Sequence, residues 1–87
     1  MDCTFITPEG KFNLRVGAVI TDGARVLVGK ESRADFYTVI GGRVKFGETA
    51  EAAVLREIRE ELGVSAEIDR LYSINEKFFT LDGIRYH

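Results

Sequence analysis

Eighty-seven residues with a 45% hydrophobic share are enough for one globular domain and exclude both a second core and a disordered tail. The net charge of −2, with no run of basic residues, argues against a module that binds nucleic acid by neutralising its phosphates. No apolar stretch approaches the ~18 residues of a membrane span. The lone Cys3 cannot close an intrachain disulfide, and Met1-Asp2-Cys3-Thr4 lacks the basic and apolar regions of a secretion signal, so a cytoplasmic location is expected.

Pro8 and Gly10 punctuate the N-terminal segment. From Phe12 to Thr21 the alternation of Phe12, Leu14 and Val16 against Asn13, Arg15 and Gly17 has the period of a strand. Asp22-Gly23 is a two-residue hairpin signal, and Arg25 to Gly29 reads as a second strand with Val26 and Val28 on one face. The polar run Glu31 to Asp35 is a loop, and the β-rich run Phe36 to Ile40 ends at the Gly41-Gly42 pair. A loop from Gly41 to Glu48 leads to a helix predicted over Ala50 to Leu62, with Thr49 as N-cap and Gly63 as its left-handed stop.

Around that helix, at about 100° per residue, Val54, Leu55, Ile58 and Leu62 form an apolar stripe. Glu57, Glu60 and Glu61 gather on a neighbouring face around the small Ala53. After the helix, Val64 to Leu71 and Ser73 to Thr80 read as strands. Phe78 and Phe79 are adjacent in the second, so they point to opposite sides of it. Asp82-Gly83 is another turn, and Ile84 to His87 opens a further strand. His87, the only histidine and the last residue, carries no catalytic argument, and neither does Cys3, which has no nearby histidine to activate it.

The three acids carry the chemical signal. Positions i, i+3 and i+4 share a helix face, and the like charges of Glu57 and Glu61 at i,i+4 weaken an isolated helix. A hard cation such as Mg²⁺ or Mn²⁺ takes carboxylate ligands and neutralises that repulsion. A solvated acidic face is the plain alternative, and the helix alone leaves both open.

The spacing around the acids is more specific. Gly42, five residues, Glu48, seven residues, Arg56-Glu57, then Ile58, Arg59, Glu60-Glu61, Leu62, Gly63 and Val64 resembles a complete Nudix box over residues 42–64, every defined position filled. The flanking strand pattern is also similar to that of the Nudix hydrolase family. The resemblance implies an α/β (α+β) fold, a mixed β-sheet packed against the Nudix-box helix, of which residues 1–87 form the N-terminal part of a single domain. Family domains carry more strands and another helix beyond this point.

The resemblance also implies a function, metal-dependent hydrolysis of a nucleoside diphosphate linked to another group X, by water attack on a diphosphate phosphorus. Mg²⁺ or Mn²⁺ is the implied cofactor. Glu57 and Glu61 would be the principal metal ligands, Glu60 a third ligand or one acting through water, and the Gly41 carbonyl a further contact. Glu57, Glu60 and Arg56 form the implied catalytic group, with Arg56 orienting Glu60; an ordinary surface pair is the alternative for Arg56. Glu48 either complements the helix dipole or supports the metal.

Arg43 and Lys45 would meet substrate phosphates, unless they are a solvated basic pair. Arg33, Phe36 and Tyr37 stand where relatives contact the nucleotide or X, with core packing as the alternative. The partner is a small-molecule nucleotide or nucleoside-diphosphate derivative; neither nucleic acid nor membrane is expected. Open strand edges favour a homodimer. Two readings compete with the enzyme: a non-catalytic nucleotide-diphosphate-binding Nudix-fold module, against which the intact acids speak, and a structural interaction domain indifferent to Mg²⁺.

Overall fold

The computed structural model describes residues 1–29 and 37–87. The strand expected from Phe12 to Thr21 is two strands, β2 (Gly10–Asn13) and β3 (Arg15–Ala18), and the break between them falls at Leu14. There the chain changes partners: the Leu14 N–H donates to the Cys3 carbonyl, while its own carbonyl accepts from Val44 N–H. On the near side of this switch β1 (Thr4–Thr7) pairs antiparallel with β2, Phe5 opposite Phe12 with their rings stacked at 6.2 Å.

On the far side β3 pairs antiparallel with β4 (Ile40–Arg43), Gly17 opposite Gly41 and Val16 opposite Gly42. The glycine pair, expected to end the preceding run, is therefore inside the strand. A Cβ on Gly41 would collide with the Val16 carbonyl oxygen and lie 2.8 Å from Gly17 Cα, so this close crossing needs a residue without a side chain.

Asp22-Gly23 turns the chain, but through a wider loop than the two-residue hairpin expected. Thr21 bridges Val26, and Asp22 Oδ1 accepts the N–H groups of Ala24 and Arg25 at 3.2 and 2.9 Å. An aspartate that caps its own loop in this way competes with the tighter turn. The second strand, Arg25 to Gly29, is reduced to isolated bridges at Val26 and Gly29, the latter to Thr38. The predicted loop Glu31 to Asp35, with Arg33, and the aromatic Phe36 lie outside the described residues.

The helix α1 (Ala50–Leu62) begins and ends where its local chemistry dictates. Thr49 Oγ1 accepts the Ala52 N–H at 3.1 Å, and Gly63, at φ 70°, donates its N–H to the Arg59 carbonyl. The helix lies against β3 and β4, and the core sits between them: Ile58, Ala18 and Ile40 are buried, with Ile20 and Val54 packed on them. Ala53 and Val44 are also buried. Of the predicted apolar stripe, Leu55 is half-buried and Leu62 exposed.

The last hairpin is β5 (Phe79–Leu81) and β6 (Ile84–Tyr86), closed by Asp82 and Gly83 at φ 52° and 78°. β6 runs parallel to β2, which yields a four-stranded mixed sheet ordered β1-β2-β6-β5. Phe79 stacks on Tyr86 and Phe78 meets the His87 ring at a tilt, so the adjacent phenylalanines take different partners. The strand expected from Val64 to Leu71 does not form, and that from Ser73 shrinks to Phe79–Leu81. A strand needs a neighbour to complete its hydrogen bonds, and residues 64–78 have no strand neighbour among the described residues. The fold is α+β, with mixed sheet and one helix among the described residues, as expected. No helix among them is long and apolar enough to cross a membrane.

Candidate functional site

Arg56 projects from the middle of α1 toward the loop that enters the helix, and its guanidinium organises that junction. Nε and Nη2 donate to the two carboxylate oxygens of Glu48 at 2.7 and 2.9 Å, a bidentate pair across eight residues of chain. Nη2 also donates to the Arg43 carbonyl at 3.0 Å, and Nη1 to Glu57 Oε1 at 2.9 Å and Glu60 Oε2 at 3.3 Å. Strand end, loop and helix are thus tied to one side chain.

Glu48 is held from a second direction, since its Oε1 accepts the Lys45 N–H at 3.0 Å. The Arg56 hydrogen bonds, followed by that from Lys45, bring the Glu48 carboxyl down to about 2. In return Glu48, and after it Glu57, pushes the Arg56 guanidinium upward against the opposing effect of burial. Near neutrality both groups are therefore charged, and the junction is an ion network.

Glu57 is largely covered, and its carboxylate lies against β4. A Cβ on Gly42 would stand 2.5 Å from Glu57 Oε1 and 2.9 Å from Oε2. The second glycine of the pair therefore leaves room for an acid, while the first leaves room for backbone. Glu57 Oε1 is engaged by Arg56, and Oε2 accepts no hydrogen bond among the described residues. Among the described residues Glu61, one turn further along, is exposed and has no ion pair, and Glu60, also exposed, has an ion pair with Arg56.

The other residues singled out in the sequence sort as follows. Arg43 turns its guanidinium toward Asp2, Nη1 to Oδ2 at 3.8 Å, and its buried Nε has no hydrogen-bond partner among the described residues. Its backbone carbonyl, which the sequence does not advertise, holds Arg56. Lys45 and Tyr37 are exposed. Arg33 is outside the described residues. Asp2 was not visible as a site neighbour, because its proximity depends on the bridge between Asp2 and Lys45.

The donor chemistry suits a hard cation: Glu57 offers a free oxygen, and Glu61 a whole carboxylate one turn away. No three His, Cys, Asp or Glu side chains converge on one point among the described residues. Mg²⁺ does not require that, because it keeps several waters and binds through one or two carboxylates together with substrate phosphates.

The NUDIX domain family model matches residues 11–87. The chain belongs to the Nudix family. It is 35% identical over 83 residues to an RNA pyrophosphohydrolase of Ruthia magnifica subsp. Calyptogena magnifica, an alignment covering 94% of this chain and 46% of that protein. It is 34% identical over 80 residues to putative nudix hydrolase 1 of Caenorhabditis elegans, covering 83% of this chain and 22% of that one. The chain thus spans less than half the length of these curated relatives. Nudix enzymes generally use divalent metal ions and act on nucleotide derivatives, which makes the acidic face of α1 and its junction with β4 the candidate site.

Proposed function

We propose that this chain carries the acids of a metal-dependent Nudix pyrophosphohydrolase, which cleaves a nucleoside diphosphate linked to another group X by water attack on a diphosphate phosphorus. The observation that carries the reading is the seat of Glu57: its carboxylate occupies the space over Gly42, is held on one oxygen by Arg56 and keeps the other available. A carboxylate held on one oxygen by a charged partner is partly preorganised, which is what electrostatic catalysis requires.

Glu57 and Glu61, with the Gly41 carbonyl, are the residues that would hold Mg²⁺ or Mn²⁺, and Glu60 would act as third ligand or through water. When bound, the cation neutralises phosphate charge and acidifies a water. Arg56 orients the acids, holds the end of β4 through the Arg43 carbonyl and, through Glu48, fixes the loop that bears Lys45. Arg43 and Lys45 would meet substrate phosphates, with Tyr37 and Arg33 assigned to the nucleotide or X. A small nucleotide derivative in the cytoplasm is the expected substrate.

The name of the relative from Ruthia magnifica adds an RNA that carries a diphosphate linkage as a candidate substrate. The charge of −2 does not oppose this, because capturing one end needs few phosphate contacts, unlike binding along a backbone. A screen of nucleoside diphosphate derivatives and 5′-phosphorylated RNA, with and without Mg²⁺ or Mn²⁺, tests the proposal. Metal-dependent release of a phosphate product supports it. Binding with no turnover on any substrate, consistent with the unconverged acids, would establish the non-catalytic binding module in its place.

A further inference from the structure

Met1, Asp2 and Cys3 are laced to the loop that enters the helix. The Met1 carbonyl accepts the Phe46 N–H at 2.8 Å, and the Cys3 N–H donates to the Val44 carbonyl at 2.7 Å. Between these two bonds Asp2 bridges Lys45 in antiparallel fashion. The Cys3 carbonyl, which accepts from Leu14, ties the same segment to the break between β2 and β3. Backbone on either side therefore fixes where the Asp2 side chain stands. That place is beside the last residue of β4: Asp2 Oδ2 lies 3.8 Å from Arg43 Nη1.

The direction Arg43 takes follows from the strand. Successive side chains point to opposite faces, and the Cβ position of Gly42 faces Glu57, so Arg43 leaves β4 on the face away from that acid. Its direct partner across the ladder is Arg15, a like charge. Among the described residues Asp2 is the one acid within ion-pair distance of the Arg43 guanidinium. The contact is loose: 3.8 Å is longer than a hydrogen bond, and both side chains are partly exposed. A pair of this kind contributes little to folding. What it does control is where the guanidinium rests.

We propose that Asp2 sets the affinity of Arg43 for substrate phosphate, holding the guanidinium in the free chain and giving it up when substrate binds. The inference rests on the reading above in which Arg43 meets the phosphates. Both anions want the same edge of the guanidinium. Asp2 stands at Nη1, and an arginine grips a phosphate through paired N–H groups. The ion pair also draws Arg43 to the face away from Glu57, so the guanidinium has to leave Asp2 to serve a phosphate beside that acid. A phosphate brings more charge than a carboxylate and fits the fork in two places, so it wins the exchange, at an affinity that the competing acid lowers. Asp2 is thus a positioning residue: it acts through Arg43 and touches no reacting atom.

The test is calorimetric titration with inorganic pyrophosphate at low ionic strength, with and without Mg²⁺, on the unaltered chain, Asp2→Asn, Arg43→Gln and the double variant. Asp2→Asn keeps the shape of the side chain and removes its charge, and is expected to tighten binding about three- to tenfold. Arg43→Gln weakens binding, and in that background Asp2→Asn gains less than about twofold, because the competition has lost its object. Equal gains in both backgrounds would be charge repulsion alone and would overturn the proposal. So would unchanged or weaker binding in Asp2→Asn, or an unaltered chain that binds pyrophosphate under neither condition. Hydrolysis with Mg²⁺ is read separately. Turnover in which Asp2→Asn fails to lower KM sinks the role of Asp2 and leaves the hydrolase standing. The expected binding pattern without turnover removes the hydrolase and leaves Asp2 its role.

Discussion

The Glu57 carboxylate fills the space that any side chain at residue 42 would need: one of its oxygens stands 2.5 Å from the Cβ position of Gly42. Gly41, its neighbour, is closed off by the Val16 carbonyl and the Gly17 backbone. Two adjacent glycines therefore fail differently when changed to alanine. Gly41→Ala forces backbone apart in a paired strand and is expected to destabilise the fold by about 1–3 kcal/mol. Gly42→Ala needs only the end of a side chain to move, so it leaves stability nearly intact and lowers turnover. Urea unfolding and hydrolysis rates on the two variants check this; equal losses of stability would show that Gly42 does not make room for Glu57.

Glu57 and Glu61 lead to the metal prediction. Glu57→Gln and Glu61→Gln keep the size of each side chain and remove its charge, so the fold should survive while metal-dependent turnover drops on the order of 100-fold or more. Mg²⁺ should raise the melting temperature of the unaltered chain, because an ion that binds only the folded state stabilises it. Neither variant should respond. Thermal unfolding with and without Mg²⁺ reads this independently of substrate, and wild-type rates in both variants would remove the two acids from the site.

How much of this was legible in the sequence follows from how local each interaction is. The helix and its Thr49 and Gly63 caps depend on neighbours within one turn, and these formed as read, whereas no three acids converge on one point among the described residues. The strands after the helix did not form as read, because a strand is decided by its partner: only Phe79–Leu81, next to β6, formed. Asp22-Gly23 misled for a different reason, since the aspartate side chain supplied its own loop hydrogen bonds. In the site, the i,i+4 contact of Arg56 with Glu60 was foreseeable, but the tighter grip on Glu48 and on the Arg43 carbonyl links residues eight and thirteen apart across a loop. The box spacing contained that geometry without displaying it.

Those caps can be tested apart from the chemistry. Thr49→Ala removes the acceptor for the Ala52 N–H and is expected to lower stability by about 1 kcal/mol. Gly63→Ala places a side chain at φ 70° and should cost a similar amount, about 1 kcal/mol. Neither residue touches Glu57 or Arg56, so hydrolysis measured well below the melting temperature should be unchanged. A large loss of rate in Thr49→Ala would mean that the helix start positions the acids more directly than its hydrogen bonds show.

Glu48 makes the stability of the junction depend on acid, and the sign can be worked out. Its ordinary value is 4.5, and in the folded chain Arg56 and the Lys45 N–H hold it at about 2. As pH falls below 4.5 the unfolded chain takes up this proton before the folded one, which favours unfolding. The stabilisation is therefore complete above the ordinary value and drains away as pH falls through the interval down to about 2. Arg56, shifted upward, stays protonated in both states over that interval and adds no slope. Glu48→Gln should be less stable than the unaltered chain near neutrality, and the gap should narrow as the solution is acidified. Denaturant midpoints for the two chains, measured at neutral pH and at several points through the acid interval, provide the comparison. Parallel curves would show that the Glu48–Arg56 pair contributes no pH-dependent stability, and that the loop is held by its backbone contacts alone.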